Sequence, residues 1–314
     1  MTLLLQYTLI FASVLLLVAL GGCFAERSGV INIGLEGIMV IGALGGALVM
    51  KFMPVSLGAL PMVLTTIVVS ALFGCIFSLL LAVAAISFKA DQTITGTAMN
   101  ILATAGATVA VKAMNTAASG GNDVSSDIAY TQAKELFIVR QGNFEFNWFM
   151  VVAVICLAIS FVALYKTKFG LRLRSCGEHP QAAASVGIDV IKMRYAGVLI
   201  SGLLGGLGGI VYITAGVSVW KFENGVAGFG FLALAVMIFG AWHPLKIALA
   251  AILFGFFRAL GNVYSGLEFM VALNLPSVVY NMLPYIISLV VLAFTSKKSR
   301  APKAEGIPYD QGSR

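Results

Sequence analysis

Apolar residues run in long stretches along the chain, at about 3–24, 31–50, 57–87, 94–114, 147–165, 195–216, 226–241, 245–260 and 277–295. A helix needs roughly 20 mostly apolar residues to cross the hydrocarbon of a bilayer, and most of these stretches reach that length. The pattern predicts an all-α, polytopic integral membrane protein with eight to nine transmembrane or re-entrant helices. The stretch 226–241 is short for a full span and is a candidate re-entrant segment. Pro54, Pro61, Pro244, Pro276 and Pro284 fall at or near the ends of stretches, where a missing backbone donor is tolerated. One membrane domain over 1–295 is expected, with a polar external loop at 115–146, a cytoplasmic loop at 166–194 and a basic cytoplasmic tail at 296–314.

Composition supports this and excludes a soluble enzyme. Of the 314 residues, 60% are hydrophobic and 11% charged, against about 25% charged in soluble domains. Cys23, Cys75, Cys156 and Cys176 show no Cys-x-x-Cys spacing and read as small buried hydrophobes. Leu20-Gly21-Gly22-Cys23 has the outline of a lipoprotein cleavage site, but Met1-Thr2-Leu3-Leu4 lacks a basic n-region, so 3–24 is read as a retained span.

The net charge of +7 has a definite placement. Lys166, Lys168, Arg172, Arg174, Lys192 and Arg194 lie in one loop, and Lys297, Lys298, Arg300, Lys303 and Arg314 in the tail. Excess Lys and Arg mark cytoplasmic segments, so both are expected inside with four crossings between them. Arg27, Lys89 and Lys246 then also face the cytoplasm, and the N-terminus and 115–146 lie outside. No basic patch carries interleaved aromatics, which disfavours nucleic acid as a partner.

Gly42/Gly46, Gly202/Gly206 and Gly205/Gly209 are GxxxG pairs, the signature of helices approaching closely in lipid. The order of 31–50, Pro61 and Phe73-Gly74 is echoed by 226–241, Pro244 and Phe254-Gly255. With opposite directions of travel, the two units would be inverted repeats with a solute path at their junction.

The chain has no Walker A sequence, HExxH or GxSxG, and its two histidines, His179 and His243, fall in predicted loops. Three stretches carry the remaining polar chemistry. In Ile31-Asn32-Ile33-Gly34-Leu35-Glu36-Gly37, a helix would place Asn32 and Glu36 on one face. Glu36 either serves the function of the span or sits at a helix start, where the dipole favours a carboxylate. In Asp91-Gln92-Thr93-Ile94-Thr95-Gly96-Thr97-Ala98-Met99-Asn100, Asp91 suits a helix cap, and Gly96 and Asn100 share a face. Asn100 would bond a neighbouring helix or a polar solute. The third stretch runs from Thr167 to Ile188. Pro180 suits a first helical turn, Ala182–Ala184 favour helix and Gly187 suits its end, which predicts a short helix on the cytoplasmic surface. A partner-docking element explains this better than a plain positive-inside anchor.

The run from Phe169-Gly170-Leu171-Arg172-Leu173-Arg174 to Gly187-Ile188 resembles the ATPase-docking loop of ABC importer permeases of the ribose/branched-chain amino acid permease family. The Ile31–Gly37 and Gly96–Asn100 patches, with Phe231-Leu232-Ala233-Leu234-Ala235-Val236-Met237-Ile238-Phe239-Gly240, are similar to the shorter permease subunit of bacterial nucleoside importers of the simple-sugar type. The resemblance implies a transport subunit of the bacterial cell (inner) membrane, not an enzyme, that works by alternating access on nucleosides, purine nucleosides foremost. It implies a second, non-identical permease, a cytoplasmic ABC ATPase that uses ATP and Mg, and an extracytoplasmic nucleoside-binding lipoprotein or periplasmic protein. This chain would bind no cofactor or metal of its own. By the same resemblance Ser175–Ile188 is a coupling helix, with Arg172, Arg174, Gly177, Glu178, His179, Pro180 and Gly187 as docking positions. Asn32, Glu36, Gly96 and Asn100 are the expected solute-pathway positions. A simple sugar or a branched-chain amino acid is the alternative solute, and a stand-alone secondary transporter the alternative class.

Overall fold

Without water to satisfy it, a backbone inside a bilayer closes its hydrogen bonds within each segment, and helices dominate as a result. The computed structural model describes residues 2–128, 130–141, 144–216, 221–266, 268–273, 276–295 and 301–310. Lys297, Lys298, Arg300 and Arg314 of the expected basic tail lie outside the described residues. The helices in chain order are α1 (Thr2–Arg27), α2 (Leu35–Phe52), α3 (Ala59–Ala82), α4 (Gln92–Ala118), α5 (Thr131–Glu135), α6 (Trp148–Lys166), α7 (Lys168–Glu178), α8 (Pro180–Ser185), α9 (Val190–Val211), α10 (Phe229–Phe239), α11 (Pro244–Val263), α12 (Glu268–Ala272) and α13 (Ser277–Thr295). Among the described residues seven helices are long and apolar enough to cross a membrane: α1, α2, α3, α4, α6, α9 and α11.

α1 and α9 form the centre. Leu15, Leu17, Val18, Ala19 and Leu20 of α1, and Val198 and Ile210 of α9, have no exposed surface. α3 instead turns Leu60, Leu64, Val68, Leu72 and Ile76 outward, an apolar stripe suited to lipid. The glycine pairs work as expected: a Cβ on Gly42 would strike the Gly206 backbone, and one on Gly209 would strike Met39. The backbones of α2, α3 and α9 touch where these residues lack side chains.

The packing has the exchange pattern of an internal repeat. α1 packs on α9, α3 packs on α9, and α11 packs on α1. α2 crosses α9 as α10 crosses α1. Gly74 of α3 lies against Gly202 and Gly206, and Gly255 of α11 lies against Thr8 and Ala12. The third helix of each unit thus packs by a glycine on the first helix of the other. The units run in opposite senses, as the sequence order predicts.

The charged groups gather at two ends. At one end Arg27 meets Glu178, Lys89 meets Asp310, and the Tyr165 ring meets His243 at a tilt. At the other, Lys51 reaches Asn115, Lys112 meets Glu223, and Gln6 reaches Glu145. These are the groupings that the placement of Lys and Arg predicts. The polar loop 115–146 holds two features that its composition does not announce: α5 and an antiparallel hairpin of β1 (Ile138–Gln141) and β2 (Phe144–Asn147), with Ile138 opposite Asn147. Phe137 and Phe149 stack at 5.3 Å to fix its base. All four cysteines are free, with Cys23 and Cys176 buried.

Candidate functional site

The link from α1 to α2 does not continue the helix. Gly29 turns at φ +96°, closing on Glu26, and the chain stays non-helical until Leu35. Asn32 therefore lies before α2, so the shared helical face expected for Asn32 and Glu36 does not form. The polar backbone freed by this break is satisfied by side chains of α4. Gln92 Oε1 accepts from Ile31 N–H at 2.7 Å. Asn100 Nδ2 donates to Ile33 O at 3.0 Å while its Oδ1 accepts from Gly37 N–H at 2.8 Å. Gly96 lets the linker lie against α4, since a Cβ there would come within 2.9 Å of Gly34 N. Asn32 Nδ2 donates to Ser201 Oγ on α9 at 2.8 Å, and Asn32 is fully buried.

A second break faces the first. Phe222–Asn224 is a single turn tied to Ser126, and Gly225 and Gly228 hold left-handed φ of +56° and +78°. α10 then starts at Phe229, and the N–H groups from Gly228 to Phe231 have no acceptor within the helix. Glu36 supplies the acceptor: its Oε1 accepts from Gly228 N–H at 2.8 Å and its Oε2 from Gly230 N–H at 2.7 Å. A helix start favours a negative charge, and here the charge belongs to another helix. Gly230 has no room for a side chain, because a Cβ would lie 2.5 Å from Glu36 N. The starts of α2 and α10 thus cross in contact, at equivalent places in the two repeats.

Beside this crossing lie residues that the reading of the sequence passed over. Arg258 of α11 sits 5.2 Å over the Phe229 ring, and Tyr212 meets the same ring at 4.8 Å. Tyr285 of α13 donates to Ala227 O at 3.1 Å. An arginine within an apolar span was itself a signal, since such groups are costly in lipid.

At the basic end, α6 stops at Thr167, whose Oγ1 accepts from Gly170 N–H at 3.2 Å and opens α7. Gly170 permits the reversal, because a Cβ there would strike the Ala163 and Leu164 carbonyls. α8 then follows with Pro180 at its first turn, and Gly187 ends it at φ +82°, as the punctuation predicts. Helix α7 is additional to that expectation. Gly177 and Pro180 are buried, and a Cβ on Gly177 would strike Arg27 O, so these two hold the loop to the core. Glu178 pairs with Arg27 at 3.7 Å, and the Arg174 guanidinium lies 4.6 Å over Tyr165. Arg172, His179 and Gly187 are exposed, as is Val186 at 74%. The backbone N–H of Lys192 bonds Asp189 and holds its carboxyl below the usual range, which caps α9.

The model of the branched-chain amino acid transport system permease component matches residues 4–293. The chain belongs to this permease family. The permease is similar to the guanosine ABC transporter permease protein NupQ of Bacillus subtilis, 42% identical over 98% of this chain and 96% of that one. It is also similar to the nucleoside ABC transporter permease protein NupC of Lactococcus lactis, at 37% over 96% and 94%. A putative glucose ABC transporter permease protein, TsgC13 of Haloferax volcanii, is 30% identical over 82% of the permease and 76% of its own length. No solved structure matches. The permease is therefore a multi-pass protein of the cell membrane and a subunit of an ABC transport system.

Proposed function

We propose that the permease forms one half of the membrane path of an ATP-driven importer for nucleosides, purine nucleosides foremost. The observation that carries this reading is near-full-length similarity to two permeases named for guanosine and nucleosides, at 42% and 37% identity. The basic end is read as cytoplasmic, with α7, α8 and the exposed Arg172, His179, Val186 and Gly187 offered to an ABC ATPase. The second permease is a non-identical chain, and a receptor outside the membrane delivers the solute.

Alternating access needs elements that have two arrangements. The paired starts of α2 and α10 are suited to this, because their non-helical leads are held by side-chain hydrogen bonds that can be exchanged: Gln92, Asn100 and Ser201 on one side and Glu36 on the other. In the arrangement described here Glu36, Gly96 and Asn100 spend their polar and small surfaces on this crossing and its linker, while Asn32 donates to Ser201 of α9 with its Oδ1 unpartnered. Their role in the pathway is then to shape and release the crossing, while a neutral, polar nucleoside needs only a few convergent polar groups beside aromatic surface. Next to the crossing, Tyr212 and Phe229 pack as buried rings with Arg258 over Phe229, so the crossing would have to open before they could face a solute.

Radiolabelled guanosine uptake in cells that carry the whole importer, with and without this chain, tests the reading. Loss of uptake in its absence, with competition by unlabelled nucleosides and not by glucose or leucine, is expected. Competition by glucose alone would move the assignment to a sugar, the reading favoured by similarity to TsgC13.

A further inference from the structure

The last described segment, 301–310, is an irregular length of chain laid across the basic end. It touches four separate elements. Ala304 N–H donates to Gly177 O at 2.8 Å, at the end of α7. Gly306 N–H donates to Gly29 O at 3.3 Å, in the α1–α2 linker, and Gly306 lies on Ile31. Ile307 O accepts from Arg194 Nη1 on α9 at 2.9 Å, and Asp310 pairs with Lys89 before α4 at 3.1 Å. Tyr309 packs with Cys176, Ala183 and Val190, a small apolar core under the docking loop. It also forms one wall of an open hollow of about 430 Å³ with Gly187, Ile188, Asp189 and Lys192.

Two further contacts show what this segment costs and why it is not inert packing. Arg194 is 1% exposed, and its Nε and Nη2 have no acceptor. The Glu305 carboxyl lies beside the Glu26 carboxyl, with its Oε2 buried and unpartnered. Buried charge with incomplete partners is unfavourable, so the segment is held by its backbone bonds and Tyr309 against a built-in penalty.

We propose that residues 301–310 are a strap that positions the docking loop: it clamps Gly177 of α7 to Gly29 and Ile31, so that movement of the loop pulls the linker leading to the α2–α10 crossing. The strap is a positioning element, and its use in coupling rests on the ATPase reading given above. Without it, the loop keeps its close approach of Gly177 to Arg27 and Gly29, but the hydrogen-bonded bridge through Ala304 and Gly306, which alone reaches on to Ile31, is lost.

The test compares the full chain with a chain ending at Arg300, with Ala304→Pro, which removes the donor to Gly177, and with Tyr309→Ala. Hydrogen exchange of the amides from Gly177 to Ile188 is measured in the purified permease. Guanosine imported per ATP hydrolysed is measured in proteoliposomes that hold the complete importer. Exchange about tenfold faster in the variants, with the interiors of α1 and α9 unchanged, is expected. Import per ATP should fall about fivefold while ATP hydrolysis continues, a split that simple loss of folded protein would not produce. Unchanged exchange overturns the strap, and faster exchange with unchanged import per ATP overturns its positioning role. If the truncated chain is not recovered folded, the two point variants decide by the same criteria. If the full chain shows no ATP-driven guanosine import, the functional reading fails, and exchange alone then upholds or overturns the strap.

Discussion

Replacing Glu36 probes the crossing most directly. In Glu36→Ala, the N–H groups of Gly228 and Gly230 lose acceptors at 2.8 and 2.7 Å, in a place where Glu36 itself is only 9% exposed. Each buried donor left unpaired costs about 1–3 kcal/mol, so the pair accounts for roughly 2–6 kcal/mol. Loss of the charge at the start of α10 adds about 0.3–1 kcal/mol more. In Glu36→Gln one oxygen still accepts, and the amide NH₂ faces the second donor, so about half of the loss is expected. At about 2 °C per kcal/mol for a chain of this size, the apparent melting temperature should fall by roughly 5–14 °C in Ala and about half that in Gln. Thermal unfolding of the detergent-purified permease, followed by fluorescence-detected size exclusion, reads this order. An alanine variant that melts with the wild type would refute the claim that Glu36 anchors α10.

Four other outcomes follow from the same contacts. Gly42→Val and Gly209→Val push a side chain into Gly206 and Met39, and each should abolish recovery of folded permease in the same assay. Asn100→Leu strips the linker of one acceptor and one donor, which should destabilise by roughly 2–5 kcal/mol and speed exchange at Gly37. Arg172→Ala combined with Glu178→Ala should leave membrane insertion intact and uncouple ATP hydrolysis from uptake; normal guanosine import by this double variant would remove the docking assignment. Burial pushes the Glu305 carboxyl above its ordinary range, beside Glu26 and facing Arg27. The docked strap thus binds its proton more tightly than the free strap, so docking is fully favoured below the ordinary carboxylate range and weakens as pH rises through the raised value. Glu305→Gln should change that pH dependence of exchange at Gly177, because Glu305 shares its titration with the neighbouring Glu26; an unchanged slope would assign it to another group.

Much of this architecture was legible because its causes are local. Apolar length predicts the spans, Pro180 and Gly187 predict α8, and Asp91 caps α4 with its side chain accepting from Ile94 N–H at 2.8 Å. Even the repeat showed in the order of short apolar segment, proline and Phe-Gly helix. The hairpin of β1 and β2 was not legible, because four-residue strands inside a polar loop carry too little pattern and are fixed by Phe137 on Phe149. Asn32 and Glu36 were misjudged as partners on one face for a related reason. The spacing is right for a helix, but Gln92, Asn100 and Ser201 offer the linker hydrogen bonds that keep it extended.

By itself, then, the sequence determined a membrane bundle, the grouping of its charges at two ends, a punctuated short helix between α6 and α9 and the family patches, all of which depend on neighbours within a helix or two. Tertiary structure alone decided what the isolated polar groups do. Glu36 caps a helix 194 residues away, Asn32 reaches across 169 residues to Ser201, and Arg194 lies beneath Ile307. A polar group in an apolar interior must find a partner, but which partner it finds is set by the packing of backbones at glycine contacts, and no local pattern encodes that choice.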